Sequence, residues 1–265
     1  MFLKAVHWNR SLLRRKFVLL KTHLCMAQYI FHKADTRGYD NLGWLISKKT
    51  FSFADYYNPK RMGFGALRVL NDDILTGGKG FGPHPHDNME IISIPLEGSL
   101  LHEDTAGNKK VVTAGQVQVM STGSGIFHSE YNYNDTLPAA FLQIWVYPDA
   151  LNMTPKYSQI ELPLSERQDQ LYEFIEPEDK PSTVVIRKDT WFSTGTFTEG
   201  SSTTYPIHRN ENGIYAFVIA GNFLVDDKEL AARDGLGIWD TEIISVKSLA
   251  DNSTLLLMEV PMEIE

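Results

Sequence analysis

An all-β fold of two antiparallel β-barrels is expected from three observations. Short apolar or alternating runs recur at intervals of about 8–12 residues and are punctuated by glycine turns, the pattern of an antiparallel sandwich or barrel. The second half repeats the texture of the first. ISIPLEGSLL (92–101) resembles FVIAGNFLV (217–225), and KKVVTAGQVQVMS resembles KELAARDGLGIWD, each entering a strand through a glycine, Gly115 and Gly235. Between the halves lies a polar, proline-bearing stretch, read as a linker over residues 151–180 with a short helix near Ser165–Tyr172.

The elements follow in order. In GFGALRVLNDDILTG two apolar runs are interrupted by Asn71-Asp72-Asp73. MEIISIPLEGSLLHED supplies β-branched residues and a turn at Gly98, and VVTAGQVQVMSTGSGIFHSEYN alternates Val117 and Val119 with Gln116 and Gln118. AFLQIWVYP is an apolar strand stopped by Pro148. After the linker, STVVIRKD, TWFSTGTFTE, GIYAFVIAGNFLVDDKEL, GLGIWDTEIISVKS and STLLLMEVP resume the strand pattern. The expected organisation is an N-terminal lobe over 26–150 and a second lobe over 181–265.

Bulk properties narrow the function. A chain of 265 residues with 43% hydrophobic content supports a substantial core. The formal net charge of −8 argues against direct nucleic-acid binding. Residues 1–25 hold six basic residues and no acidic one, so the acidic excess falls entirely on 26–265. That segment reads as a non-native or flexible N-terminal extension, with Met26 as the native start; the intact mass of protein from its host tests this. The single cysteine, Cys25, allows no intrachain disulfide, which fits a reducing, cytoplasmic setting. No apolar run reaches the roughly 20 residues needed to span a bilayer, so no membrane partner is expected, and the chain is read as a monomer.

Two pairs of residues carry the chemistry: His84 and His86 in GPHPHDNME, and His128 and Glu130 in GIFHSEYN. Each is spaced i, i+2, which on a strand puts both side chains on one face. Two such strands side by side direct three imidazoles and a carboxylate at one point, a donor set for a divalent transition metal with open positions. A closed structural zinc site would instead use cysteines, which are not available. Spacing alone leaves Glu90, four residues after His86, as an alternative ligand. His102 and Glu103 read as polar residues at a loop edge, His7, His23 and His32 as incidental, and Trp239-Asp240 as core and turn. The second lobe has one histidine, His208. Overlaying Gly98 on Gly221 puts Ile207 and Arg209 opposite His84 and His86, so that lobe is expected to lack a metal.

The segments FSFADYYNP, GFGALRVLNDD, FGPHPHDNMEI, LEGSLLHEDTAGN, GIFHSEYN, QIWVYP and DGLGIWD resemble the pirin family of the cupin superfamily, over about residues 27–265. Gly78, His84, His86 and Glu90 fit the first cupin motif, with Gly98 one residue late. The resemblance implies a bicupin of two β-barrels. It also implies one metal in the N-terminal barrel, Fe(II) first with Mn, Ni, Cu, Co or Zn as alternatives, held by His84, His86, His128 and Glu130 rather than Glu90. For activity it implies quercetin-type 2,3-dioxygenation: a flavonol and O2 react, the ring opens and CO is lost, with Glu130 as ligand and candidate base. The rival expectation is a metal-binding regulator that docks on a protein partner with little catalysis; a cupin isomerase is a third.

Overall fold

The computed structural model describes residues 26–177, 183–186 and 189–264; His7, His23 and the expected N-terminal extension lie outside them. In chain order the first strands are β1 (Gln28–His32), β2 (Gly38–Asn41), β3 (Leu45–Lys49), β4 (Leu67–Leu75), β5 (Gly80–His86), β6 (Glu90–Glu97), β7 (Ser99–Asp104), β8 (Lys109–Thr113), β9 (Gln116–Ser121), β10 (Ile126–Asn132), β11 (Ala139–Val146) and β12 (Lys156–Glu161). Then come β13 (Tyr172–Glu176), β14 (Val184–Val185), β15 (Trp191–Phe197), β16 (Ser202–Pro206), β17 (Asn212–Ala220), β18 (Phe223–Val225), β19 (Lys228–Leu230), β20 (Gly235–Trp239), β21 (Ile243–Ser248) and β22 (Ser253–Pro261).

Two lobes share one plan. In the first, a seven-stranded sheet ordered β12-β9-β6-β11-β4-β3-β2 faces a four-stranded sheet ordered β5-β10-β7-β8. In the second, β1-β20-β17-β22-β15-β13-β14 faces β16-β21-β18-β19. Side-chain alternation gives each large sheet two tasks. One face of both large sheets builds a common core, where Leu70, Ile92, Leu142 and Ile144 of the first lobe meet Phe192, Tyr215, Phe217 and Met258 of the second. The other face lines the inside of its own barrel. Thus Ala216, Leu236, Leu255 and Leu257 pack on Phe223, Val225, Ile244 and Val246 inside the second barrel.

Four readings of the sequence differ from the structure. The stretch 151–180 is not a free connection: β12 pairs with β9 of the first lobe and β13 with β15 of the second. The helix expected at Ser165–Tyr172 is a single 3-10 turn, Leu164–Glu166, preceded by Pro163. The first lobe does not begin at residue 26, because β1 crosses over and pairs with β20. Asn71-Asp72-Asp73 do not break a strand either; β4 runs through them unbroken. Asn71 and Asp73 turn inward and are 2% and 3% exposed, which accounts for polar residues where a strand core reads as apolar.

Candidate metal centre

The site is built on the antiparallel pair β5–β10. His128 lies directly opposite His84, and Ile126 opposite His86. Direct opposition and i, i+2 spacing put the three imidazoles on one face. Their ring centroids stand 4.7 Å apart for His84–His86, 4.5 Å for His84–His128 and 5.0 Å for His86–His128. Their donor nitrogens all lie within 4.8 Å of one another.

Each ring is prepared differently. His84 Nδ1 is 2.8 Å from the Gly82 carbonyl oxygen, so Nδ1–H donates there and Nε2 is the nitrogen left for a ligand. A ligating histidine typically gives its second N–H to such a partner. His86 packs edge-on against Trp145, centroids 4.8 Å apart. His128 is 2% exposed, and neither of its ring nitrogens has a hydrogen-bond partner. Burial first, and then the neighbouring histidines, hold the imidazole of His86 down to about 4 and that of His128 to about 3, so both stand neutral with lone pairs free. Orphaned nitrogens on a buried ring, among imidazoles kept neutral, fit a divalent metal ion.

Glu130 shares the inward face with His128, as i, i+2 spacing expects, but its partner on β5 is shifted. The register shifts between His128 and Glu130, so Glu130 falls opposite Phe81, one position farther from His84 than a straight ladder gives. The extra residue of this bulge lies on the glycine- and proline-bearing β5, so alternation along β10 is kept and the carboxylate still points inward. There it is 1% exposed and forms a second cluster with His128 and His102, whose donor atoms also lie within 4.8 Å of one another. Oε1 accepts from Ser93 Oγ at 2.9 Å and Gln118 Nε2 at 3.4 Å, and Oε2 accepts from Gln143 Nε2 at 2.7 Å. Glu90 lies apart from both clusters, buried and bonded to Ser121.

His102 is the residue the sequence reading missed. It is not at a loop edge: β7 continues through Asp104, and His102 is directly opposite Glu130 and fully buried. Its Nε2 donates to Asp104 Oδ2 at 2.9 Å, and Nδ1 receives Gln118 Nε2 at 3.2 Å. Glu103 faces outward and pairs with Lys109. The period-2 pattern of LLHED was the signal that could have placed His102 inside. His32 is buried at the junction of the lobes, with Nδ1 2.8 Å from the Tyr215 hydroxyl. Trp239 packs on the common core, and Asp240 takes a turn conformation with φ 58°.

A row of polar residues crosses the inside of the first barrel. Lys49, Asn71, Gln143, Ser93, Gln118 and Gln159 are successive cross-strand partners on β3, β4, β11, β6, β9 and β12. The matching row of the second barrel reads Glu173, Ser193, Leu257, Ala216, Leu236 and Phe31. The four positions matching Gln143, Ser93, Gln118 and Gln159 are apolar in the second barrel, while Glu173 and Ser193 keep its far end polar. His208 of the second lobe is held by Glu259 at 2.8 Å and stacks on Trp191, apart from any three-ligand cluster among the described residues.

A model of the pirin family matches residues 31–146, and a model described as the quercetinase C-terminal cupin domain matches residues 174–260. The chain is similar to a quercetin 2,3-dioxygenase of Escherichia coli (strain K12), 38% identical over 229 residues, spanning 86% of this chain and 97% of that protein. A pirin-like protein of Caulobacter vibrioides is also 38% identical over 229 residues, spanning 84% and 98%. Among solved structures, a bacterial pirin from Escherichia coli in complex with nickel(II) superposes with a TM-score of 0.84 at 38% identity, covering 89% of this chain and 100% of that one.

Proposed function

Because this chain belongs to the pirin family, we propose that it is a metal-dependent dioxygenase that opens the central ring of quercetin-type flavonols with O2. The observation that carries the reading is the convergence of His84, His86 and His128, with orphaned nitrogens on the buried His128. These three and Glu130 would hold one divalent ion, Fe(II) first among the candidates; Mn, Ni, Cu, Co or Zn suit the same donors. When bound, the ion supplies a Lewis acid that raises the acidity of the flavonol 3-hydroxyl.

The chain's own residues do the rest. Three neutral imidazoles and one carboxylate leave a net +1 around a divalent ion, which favours an oxyanion ligand. Glu130 Oε1 takes two donors and Oε2 one, so Oε2 keeps a lone pair for the ion or for the substrate proton. Trp145 and Phe53, edge to face at 5.2 Å, wall the site beside His86 with apolar surface. No helix among the described residues is long and apolar enough to cross a membrane.

The test uses protein loaded anaerobically with iron and mixed with quercetin in air. Loss of flavonol absorbance with CO release, abolished by His84→Ala, supports the dioxygenase. A metal-replete protein without turnover would replace it with the regulatory, partner-binding reading.

A further inference from the structure

The first barrel buries polar side chains around Glu130 that its counterpart does without. His102 and Gln118 are fully buried, and the side chain of Asp104 is equally enclosed. Such groups cost free energy to bury unless each finds a partner. Counting from Gly98 and Gly221, Val225 takes the place of His102; as His102 pairs with Glu130, so Val225 pairs with Val246. Leu236 takes the place of Gln118, and these three residues of the second barrel pack in an apolar core. The barrel itself therefore does not call for the polar group.

Hydrogen-bond direction in that group is fixed from both ends. Asp104 Oδ1 accepts from the backbone N–H groups of Ala106 and Asn108, each at 3.0 Å, and Oδ2 accepts from Asn108 Nδ2 at 2.9 Å. A carboxylate so surrounded only accepts, so His102 Nε2, 2.9 Å from Oδ2, carries the hydrogen. Nδ1 is then the ring's acceptor, and Gln118 turns its Nε2 to it at 3.2 Å. The second hydrogen of that amide nitrogen reaches Glu130 Oε1 at 3.4 Å. At the other end the Val111 carbonyl oxygen also only accepts. Gln159 Nε2 donates to it at 3.0 Å, which leaves Gln159 Oε1 facing the Tyr157 hydroxyl at 2.9 Å. The same hydroxyl donates toward Gln118 Oε1, 3.3 Å away. Gln118 thus meets a donor at its oxygen and an acceptor at its nitrogen, and one amide orientation satisfies both.

We propose that His102, held by Asp104, is a positioning residue for Glu130: it fixes the Gln118 amide so that an N–H, and not an oxygen, faces the carboxylate. Held through Oε1, Glu130 keeps Oε2 for the ion. With the amide turned over, Gln118 Oε1 would oppose Glu130 Oε1, two acceptors that repel. The inference rests on reading Glu130 as a metal ligand and adds the residues that set its orientation.

The test is Co(II) binding to the full chain, followed by chelator competition and by the visible Co(II) absorption. His102→Leu should lower Co(II) affinity about 10- to 100-fold and move the absorption toward that of Glu130→Gln. Gln118→Met, which keeps the length and removes the amide, should do the same. His102→Gln offers a donor to Asp104 and an acceptor to Gln118, so it should stay within about threefold of the parent, below the usual worth of a lost hydrogen bond. A role only in packing on Tyr157, whose ring is 4.9 Å from that of His102, would instead favour leucine over glutamine. In the Glu130→Gln background His102→Leu should change affinity by no more than about twofold, because the coupled partner is gone. Parent-like affinity and absorption in His102→Leu, equal losses in His102→Leu and His102→Gln, or a loss that persists in the Glu130→Gln background would overturn the positioning role and leave the metal reading intact. A parent protein that binds no Co(II), or Glu130→Gln protein that binds it as the parent does, would overturn the reading beneath it.

Discussion

Gln143 donates its side-chain amide to Glu130 across 2.7 Å, tying the strand that carries two candidate metal ligands to the sheet on the far side of the barrel. Gln143 is in turn held by Ser93, whose hydroxyl donates to Gln143 Oε1 at 2.8 Å and to Glu130 Oε1 at 2.9 Å. Neutral donors orient the carboxylate without cancelling its charge, so its attraction for a cation is kept.

Gln143→Leu should therefore lower metal affinity about 10- to 100-fold, the usual effect of removing a partner of a ligand. Chelator competition measures this. An unchanged dissociation constant would show that Glu130 needs no such support.

Glu130→Gln keeps the shape and removes the anionic oxygen. Turnover of quercetin should fall by about 10²–10⁴-fold, the range for loss of a general base, while His84, His86 and His128 retain a weaker metal. Full activity in this variant, assayed at saturating metal, would remove Glu130 from both roles.

The common core predicts that the lobes unfold together. Phe192 is fully buried on β15 within the cluster that joins the two large sheets. Phe192→Ala should cost about 3–5 kcal/mol and lower the midpoint of a single calorimetric transition. Two separated transitions in the parent protein would contradict a shared core.

Asp73 gives a pH signature. Burial is the main cause that raises its carboxyl from 3.8 to about 7. The folded state then holds a proton that the unfolded chain has already lost, so this group's contribution is fullest below pH 3.8 and is lost as pH rises through about 7. The advantage of Asp73→Asn over the parent should grow between pH 4 and 7, to roughly 4 kcal/mol at most, and level off above. Urea unfolding at a series of pH values measures it; a difference independent of pH would contradict the burial of an ionisable Asp73.

Much of this site was legible because strand periodicity is local. Spacing put His84 with His86, and His128 with Glu130, on shared strand faces, and the pairing of β5 with β10 brings the three rings together. Glu130 shares the inward face with His128, as i, i+2 spacing expects; the bulge that sets it opposite Phe81 depends on how β5 pairs, which spacing does not encode. His102 was misread because its strand was ended too early. The polar row from Lys49 to Gln159 draws one residue from each of six strands, and only the assembled sheet lines them up. The exchange of β1 into the second lobe is likewise a long-range pairing with no local mark.

The most direct measurement is anomalous X-ray scattering at the metal edge from crystals of iron-loaded protein. A single peak about 2.0–2.2 Å from nitrogens of His84, His86 and His128, with a Glu130 oxygen completing the set, is the predicted result. A peak elsewhere, beside His208 for instance, or no peak among the three imidazoles in metal-replete crystals, would contradict it.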